Sequence, residues 1–564
     1  MSYKYNKNYA DIALGKRKAE LVLKQGIIVD VFTNELFVAD IAIQEGVIVG
    51  VGQYAGEEEI DMSGKYICPG FIDAHLHLES TLLNPSQLIY QAGRKGTTTF
   101  IVDPHEAANV AGKDGIDYIL EDTKECQANI YVMVPSCVPC LPFECNGAVL
   151  NAKDMESYLS EDRILGLGEV MDIPAVLNAD EGMLEKLKLF YSKQIDGHGG
   201  CFKGQEADCY ALAGIKTDHE CCTYEDAIKE VRAGMFVLIR EGTAAKNLEQ
   251  IVTGIVKHHT PCNRFGFCTD DKHIEDIKQQ GHISYNVQKA IELGISPIEA
   301  IKMATLYPAT CYELKHLGAI AAGYQADLLV LSNLEKVEVE DVYYKGKRLK
   351  EVKREEKKLG NKLTDTVHIN YRGKSEFSLP LKEQKAFVLE LVPKEILTTG
   401  EIKEVDVKDG EFVPNKQFQK IAVFERHHNT GKKGVGIVEG FSIENGAIAS
   451  TVGHDSHNLI VVGDNDEDMN RAVMELIDCK GGYTVVRSGK EPFTLPLEIM
   501  GLMTQKSYEE VEETLRIMIE QAHDMGVPKE IDPFITLSFL ALPVIPSYRI
   551  TPNGMYDVEN KMFF

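Results

Sequence analysis

The chain has no apolar run approaching the ~18 residues of a membrane span, and its longest apolar stretches are strand-length. No membrane partner is therefore expected. The opening residues Met1-Ser2-Tyr3-Lys4-Tyr5 lead into a polar, charged segment with no apolar signal core and no cleavage motif, so a cytoplasmic location is expected. Basic residues are in deficit: 60 Lys and Arg stand against 86 Asp and Glu, a formal net charge of −26, with no long Lys/Arg run. Such a chain is poorly suited to holding phosphate backbones, so no nucleic-acid partner is expected. The 13 cysteines are odd in number and scattered, so they do not form a disulfide framework and suit a reducing compartment. Internal repeats and low-complexity tracts are absent too.

What is present is a chain of 564 residues, 44% hydrophobic and 26% charged, the balance of a globular protein with several domains. Residues 18–65 read as short strands separated by turns at Asn34 and Gly46, a small β unit. From Lys65 the pattern changes to short apolar runs ending in polar residues, alternating with helical stretches. There are eight such runs, at 67–77, 97–105, 130–137, 164–170, 194–198, 215–219, 235–240 and 265–270. Alternating β and α signals predict a parallel sheet with crossover helices, and eight units over this length fit a (β/α)8 barrel. A doubly wound open sheet is the alternative. Helical patterns follow at 283–292 and 297–305, and then Gly318-Ala-Ile-Ala-Ala-Gly-Tyr-Gln-Ala-Asp-Leu-Leu-Val330 reads as a return to the first β unit. A Lys- and Glu-rich stretch at 345–362 marks a boundary, beyond which strands near 386–392 and an amphipathic helix at 508–525 begin a further unit. The expected class is α/β: a TIM-type barrel over 66–316, a composite β-sandwich from 1–65 with 317–365, and a C-terminal α+β domain over 366–564.

The sharpest local feature is Asp73-Ala74-His75-Leu76-His77. Residues i and i+2 of a strand share a face, so His75 and His77 project together, a natural ligand pair for a divalent transition metal. Taken alone, a His-x-His on a strand is more often chance. Further polar residues end the other runs, however: His105, Glu169, His198, His219 and Asp270. In a barrel these ends share the active-site face, whereas in an open sheet they would not converge. An acidic residue such as Glu169 in an apolar strand is costly unless paired or metal-bound. His75, His77, His198 and His219 with Glu169 and Asp270 make an inventory for two metals bridged by a carboxylate.

The pattern Pro69-Gly-Phe-Ile-Asp-Ala-His-Leu-His77, with its flanking β unit, resembles the first-strand signature of the amidohydrolase superfamily. More narrowly, the chain resembles the bacterial adenine deaminase family. The motifs that carry this are His75-Leu-His-Leu-Glu79-Ser80, Asp103-Pro-His105-Glu106, Asp196-Gly-His198, Asp218-His219-Glu220, Arg240-Glu241-Gly242, Thr269-Asp270-Asp271, His454-Asp455-Ser456-His457-Asn458 and Leu537-Ser-Phe-Leu-Ala-Leu-Pro-Val-Ile-Pro546. They cover nearly the whole chain. Glu169 stands where many binuclear relatives carry a carboxylated lysine, which speaks against the hydantoinase and dihydroorotase branches.

The resemblance implies hydrolysis of adenine to hypoxanthine and ammonia, a step of purine salvage. It implies that His75, His77 and Asp270 hold one metal, that His198 and His219 hold the other, and that Glu169 bridges them. The metals would be Mn2+ or Fe2+, with Zn2+ also admitted. A metal-activated hydroxide would attack C6, Asp270 would move its proton to the departing amine, and Glu220 or Glu241 would serve the ring nitrogen. Glu79, His105, Glu106, Arg240 and Asp271 are candidates for substrate binding or support. His105 and Glu106 admit an auxiliary metal or plain packing, and Arg240 admits a structural ion pair. Cys137-Val-Pro-Cys140 lacks the two further partners that zinc would need. The pairs His427-His428 and His454 to His457 form either a polar loop or a lid reaching the barrel mouth. A homo-oligomer is expected for an enzyme of this size. The rival readings are an amidohydrolase acting on another nucleobase or cyclic amide, and a non-enzymatic barrel scaffold.

Overall fold

The computed structural model describes residues 5–243, 245–350, 358–392 and 397–564. The expected boundary stretch at 345–362 and the opening residues thus lie partly outside the described residues. At the centre stand eight strands: β1 (Phe71–Leu76), β2 (Thr97–Val102), β3 (Asn129–Val134), β4 (Ile164–Val170), β5 (Gln194–Gly197), β6 (Thr217–Asp218), β7 (Phe236–Arg240) and β8 (Phe265–Cys268). Neighbours in this series pair in parallel from first to last. The series closes on itself through a parallel bridge between Leu76 and Asp270, where the Asp270 amide donates to the His75 carbonyl at 3.1 Å. That closure makes a barrel and excludes the open sheet. Every residue of β1, β2 and β7 is buried, as strands covered on both faces require.

Each of the eight apolar runs supplies one barrel strand, but the first run contains two elements. Tyr66–Pro69 pairs antiparallel with Leu328–Asn333 in a flanking sheet, and the chain enters the barrel only after Gly70. A side chain at Gly70 would not fit: its Cβ would lie 2.0 Å from Thr98 Oγ1. The flanking sheet has eight strands and draws on both ends of the barrel, with Ala19–Asp30, Glu35–Gln44 and Val47–Gly52 on one side and Glu338–Tyr344 on the other. Its own core gathers Leu23, Ile28, Ile41, Ile48, Ile67 and Leu328.

A third eight-stranded sheet follows, antiparallel except where Leu389 pairs with Val438. The helix Tyr508–Asp524 packs against it, started by a capping box between Ser507 and Glu510. Its buried residues Tyr508, Val511, Leu515, Met518 and Ala522 repeat at helical spacing. This C-terminal part is joined to the barrel's rim. Thr504 exchanges backbone hydrogen bonds with Leu82 and Asn84, and Tyr508 Oη donates to the Ile274 carbonyl at 3.0 Å. One apolar core runs from Leu76, Leu82 and Val134 into Leu497, Met503 and Phe534. All 13 cysteines are unbridged. Among the described residues, no helix is long and apolar enough to cross a membrane.

Candidate active site

Parallel strands in a barrel bring all their C-terminal ends to one mouth. His75 lies near the end of β1 and His77 just beyond it, Glu169 near the end of β4, His198 and His219 directly after β5 and β6, and Asp270 just after β8. The fold brings these six side chains together. Glu169 stands among them with each oxygen turned to a different pair of rings. Its Oε1 lies 3.0 Å from both His75 Nε2 and His77 Nε2, and its Oε2 lies 2.7 Å from His198 Nδ1 and 3.8 Å from His219 Nε2. Asp270 Oδ1 approaches His77 Nε2 at 3.2 Å and His75 Nε2 at 3.6 Å. The rings of His75 and His219 stack with centroids 3.9 Å apart.

The proton arrangement of this cluster fits a cation. His77 Nδ1 lies 2.9 Å from the Asp103 carbonyl, which can only accept, so the neutral ring carries its proton on Nδ1 and presents a lone pair at Nε2. That lone pair faces His75 Nε2 at 3.2 Å and the Glu169 carboxylate. Glu169 Oε1 and His219 Nε2 are buried without a hydrogen-bond partner. Several triads of ligand atoms, each within 4.8 Å, overlap here, including His75–His77–Glu169 and Glu169–His198–His219. Imidazole nitrogens and carboxylate oxygens are the donors that first-row divalent ions take. Burial disfavours charge on Glu169, but in the metal-free cluster positive charge on the His77 and His75 rings outweighs it and holds its carboxyl well below the ordinary range, the same service that a cation between them would perform. Burial and the neighbouring His75 push His219 the other way, well below the usual histidine value.

The remaining candidates divide. Arg240, at the end of β7, spans Glu220 and Asp270: its Nη2 donates to Glu220 Oε2 at 3.0 Å and its Nη1 to Asp270 Oδ2 at 3.0 Å. His105 packs edge-on against His77 at 4.5 Å. Asp271 accepts from the Ser80 hydroxyl, and Glu79 Oε1 accepts from the Ala107 amide at 3.0 Å. Glu106 faces His454 Nδ1 at 3.1 Å. Glu241 is not brought to the cluster; its Oε1 pairs with Lys289 Nζ at 2.7 Å. The cavity beside the cluster is walled by His198, Glu220 and Arg240 on the barrel side and by Phe539, Leu542 and Ile545 on the other. His454 and Asp455 also border it, so that loop does reach the mouth. The Cys137 and Cys140 thiols are both buried and unbridged.

Residues 66–349 match the amidohydrolase family and residues 395–562 match the adenine deaminase C-terminal domain. An adenine deaminase of Desulfitobacterium hafniense is 51% identical, over 98% of this chain and 97% of its own length. The chain belongs to the adenine deaminase family. Adenine deaminases of Clostridium acetobutylicum and Geobacillus kaustophilus are 45% and 42% identical, each covering 98% or more of both chains.

Two features of this adenine deaminase family member escape a reading of single residues. Asp103 holds the cluster from behind: its Oδ2 accepts the Glu169 amide at 3.0 Å while its carbonyl faces His77. Its presence in the Asp103-Pro-His105-Glu106 motif was the available signal. Gly168 makes room for it, since a Cβ there would lie 2.1 Å from Asp103 Oδ2. The second feature is the apolar wall of Phe539, Leu542 and Ile545, which no local pattern assigns to the barrel mouth.

Proposed function

We propose that this protein is an adenine deaminase, hydrolysing adenine to hypoxanthine and ammonia at the barrel mouth. The observation that supports it most is Glu169, whose two oxygens face two separate imidazole pairs in a chain of this family. His75, His77 and Asp270 would hold one divalent ion, His198 and His219 a second, and Glu169 both. Mn2+ or Fe2+ is the proposed pair, with Zn2+ also suited to these donors. Such ions, when bound, lower the pKa of water toward neutrality and so supply a hydroxide for displacing the C6 amino group.

The chain's own residues do the rest. Asp103 fixes the tautomer of His77 and the position of Glu169. Burial opposes ionisation of Asp270, yet its neighbours, the Arg240 guanidinium among them, hold its carboxyl well below the ordinary range, so it is present as the carboxylate that can accept a proton. It accepts the proton of the attacking water and passes it to the departing amine. Glu220, held against Arg240 at the cavity wall, takes up the other proton of the water and passes it to the ring nitrogen, so that both water protons are accounted for. Phe539, Leu542 and Ile545 cover the flat purine and keep bulk water out.

The test is turnover. Protein prepared with Mn2+ is given adenine, and ammonia and hypoxanthine are followed beside adenosine, guanine and cytosine. Turnover of adenine alone, abolished by a chelator and restored by Mn2+, is the expected result. A metal-replete sample that ignores adenine sinks the substrate assignment.

A further inference from the structure

Beside the Glu169 cluster lies a second knot of ligand-type side chains that deamination leaves without a task. Glu106 stands in the helix His105–Ala111 that follows β2, while His454 and His457 lie in the loop after the strand Gly446–Ser450 of the C-terminal sheet. One ligand atom from each falls within 4.8 Å of the others. The 3.1 Å approach of Glu106 Oε1 to His454 Nδ1 makes an ion pair the simplest alternative. That pair does not account for the third member. His457 is 0% exposed, and both of its ring nitrogens lack a hydrogen-bond partner, as does Glu106 Oε2. Buried polar groups almost always find a partner, and an imidazole empty at both nitrogens is an exception that calls for one.

The loop is also fixed in advance, so the empty ring does not come from slack backbone. The His457 amide donates to the Gly453 carbonyl at 2.6 Å, and its own carbonyl accepts from Nε of the buried Arg426. Ser456 Oγ donates to Glu144 at 2.7 Å, and Asn458 Nδ2 donates to the Cys145 carbonyl at 2.8 Å. Both latter contacts tie the loop to a segment of the barrel.

We propose that Glu106, His454 and His457 hold a further divalent transition-metal ion, separate from the ions proposed at Glu169. Two imidazoles and one carboxylate are donors that suit Zn2+, with a fourth position left for water. The ligands come from the barrel and from the C-terminal sheet, so the ion pins that loop to the rim, where His454 and Asp455 border the cavity.

The test counts and locates metal and does not depend on turnover, so it can fail while the deaminase reading stands, and the reverse. Metal-free protein is equilibrated with Zn2+, stripped of excess, and its zinc measured per chain by mass spectrometry. The wild type should carry one equivalent more than His457→Gln and one more than Glu106→Gln. An anomalous difference map of the zinc-loaded wild type should show a peak between the three side chains, a result that does not require either variant to fold. Equal zinc in the wild type and both variants, or no peak at that position, overturns the proposal.

Discussion

Glu169 can face four imidazoles because the residue before it has no side chain. Gly168 leaves the space that Asp103 fills, and Asp103 then holds Glu169 by its amide and His77 through a carbonyl. The convergence of histidines and carboxylates was legible in the sequence, since such residues at the ends of apolar runs have few other reasons to be there. The direction of individual side chains was less so. Glu220 and Glu241 were equal candidates for the ring proton, and Glu241 directly follows Arg240. Successive residues of an extended chain point to opposite sides, so an inward Arg240 sends Glu241 outward to Lys289. The two glutamates therefore separate in an assay. Glu220→Gln should lower kcat by about 10²–10⁴ while metal content is kept. Glu241→Gln should leave kcat within a few-fold of the wild type. Steady-state kinetics beside metal analysis checks both, and the idea fails if Glu241→Gln is the costlier change.

Among the elements, the barrel strands were readable because parallel strands covered on both faces appear as continuous apolar runs. For the same reason the break at Gly70 was not readable: Ile67 to Ile72 stays apolar through a change of sheet. The flanking sheet carries its own buried charge. Asp40 accepts from Lys24 Nζ at 2.6 Å and from the amides of Gln25 and Tyr54 at 3.0 Å each. Burial opposes its ionisation, but these donors win and lower its pKa below the ordinary value. A carboxyl whose folded pKa is depressed contributes stability that is complete above its unfolded value, about 3.9, and is lost as pH falls through the folded value. Asp40→Asn should therefore weaken the strands Ala19–Asp30 and Glu35–Gln44 at pH 7 by roughly 1.5–3 kcal/mol. Native-state hydrogen exchange should show the gap to the wild type narrowing below about pH 4. A gap that widens on acidification would contradict this account.

For the whole molecule, the C-terminal part is a wall of the cavity and not an appendage, because Phe539, at the end of the helix Pro533–Phe539, and Leu542 and Ile545 just after it line one side. The existence of a separate C-terminal unit was legible from its change of pattern. Its seat over the mouth was not, since contacts between distant segments leave no local periodicity. Phe539→Ala should raise KM for adenine about tenfold, equivalent to roughly 1.4 kcal/mol, with kcat nearly unchanged. A fall in kcat at constant KM would mean that the ring does not act as a binding wall. The closure of the barrel has a further consequence. Its first and last strands meet where Asp270 donates to the His75 carbonyl, so the hoop is fastened by the same short segments that bear His75, His77 and Asp270. An ion held there, as proposed, would clasp the hoop shut, and reaction chemistry and architectural integrity would share a single buckle.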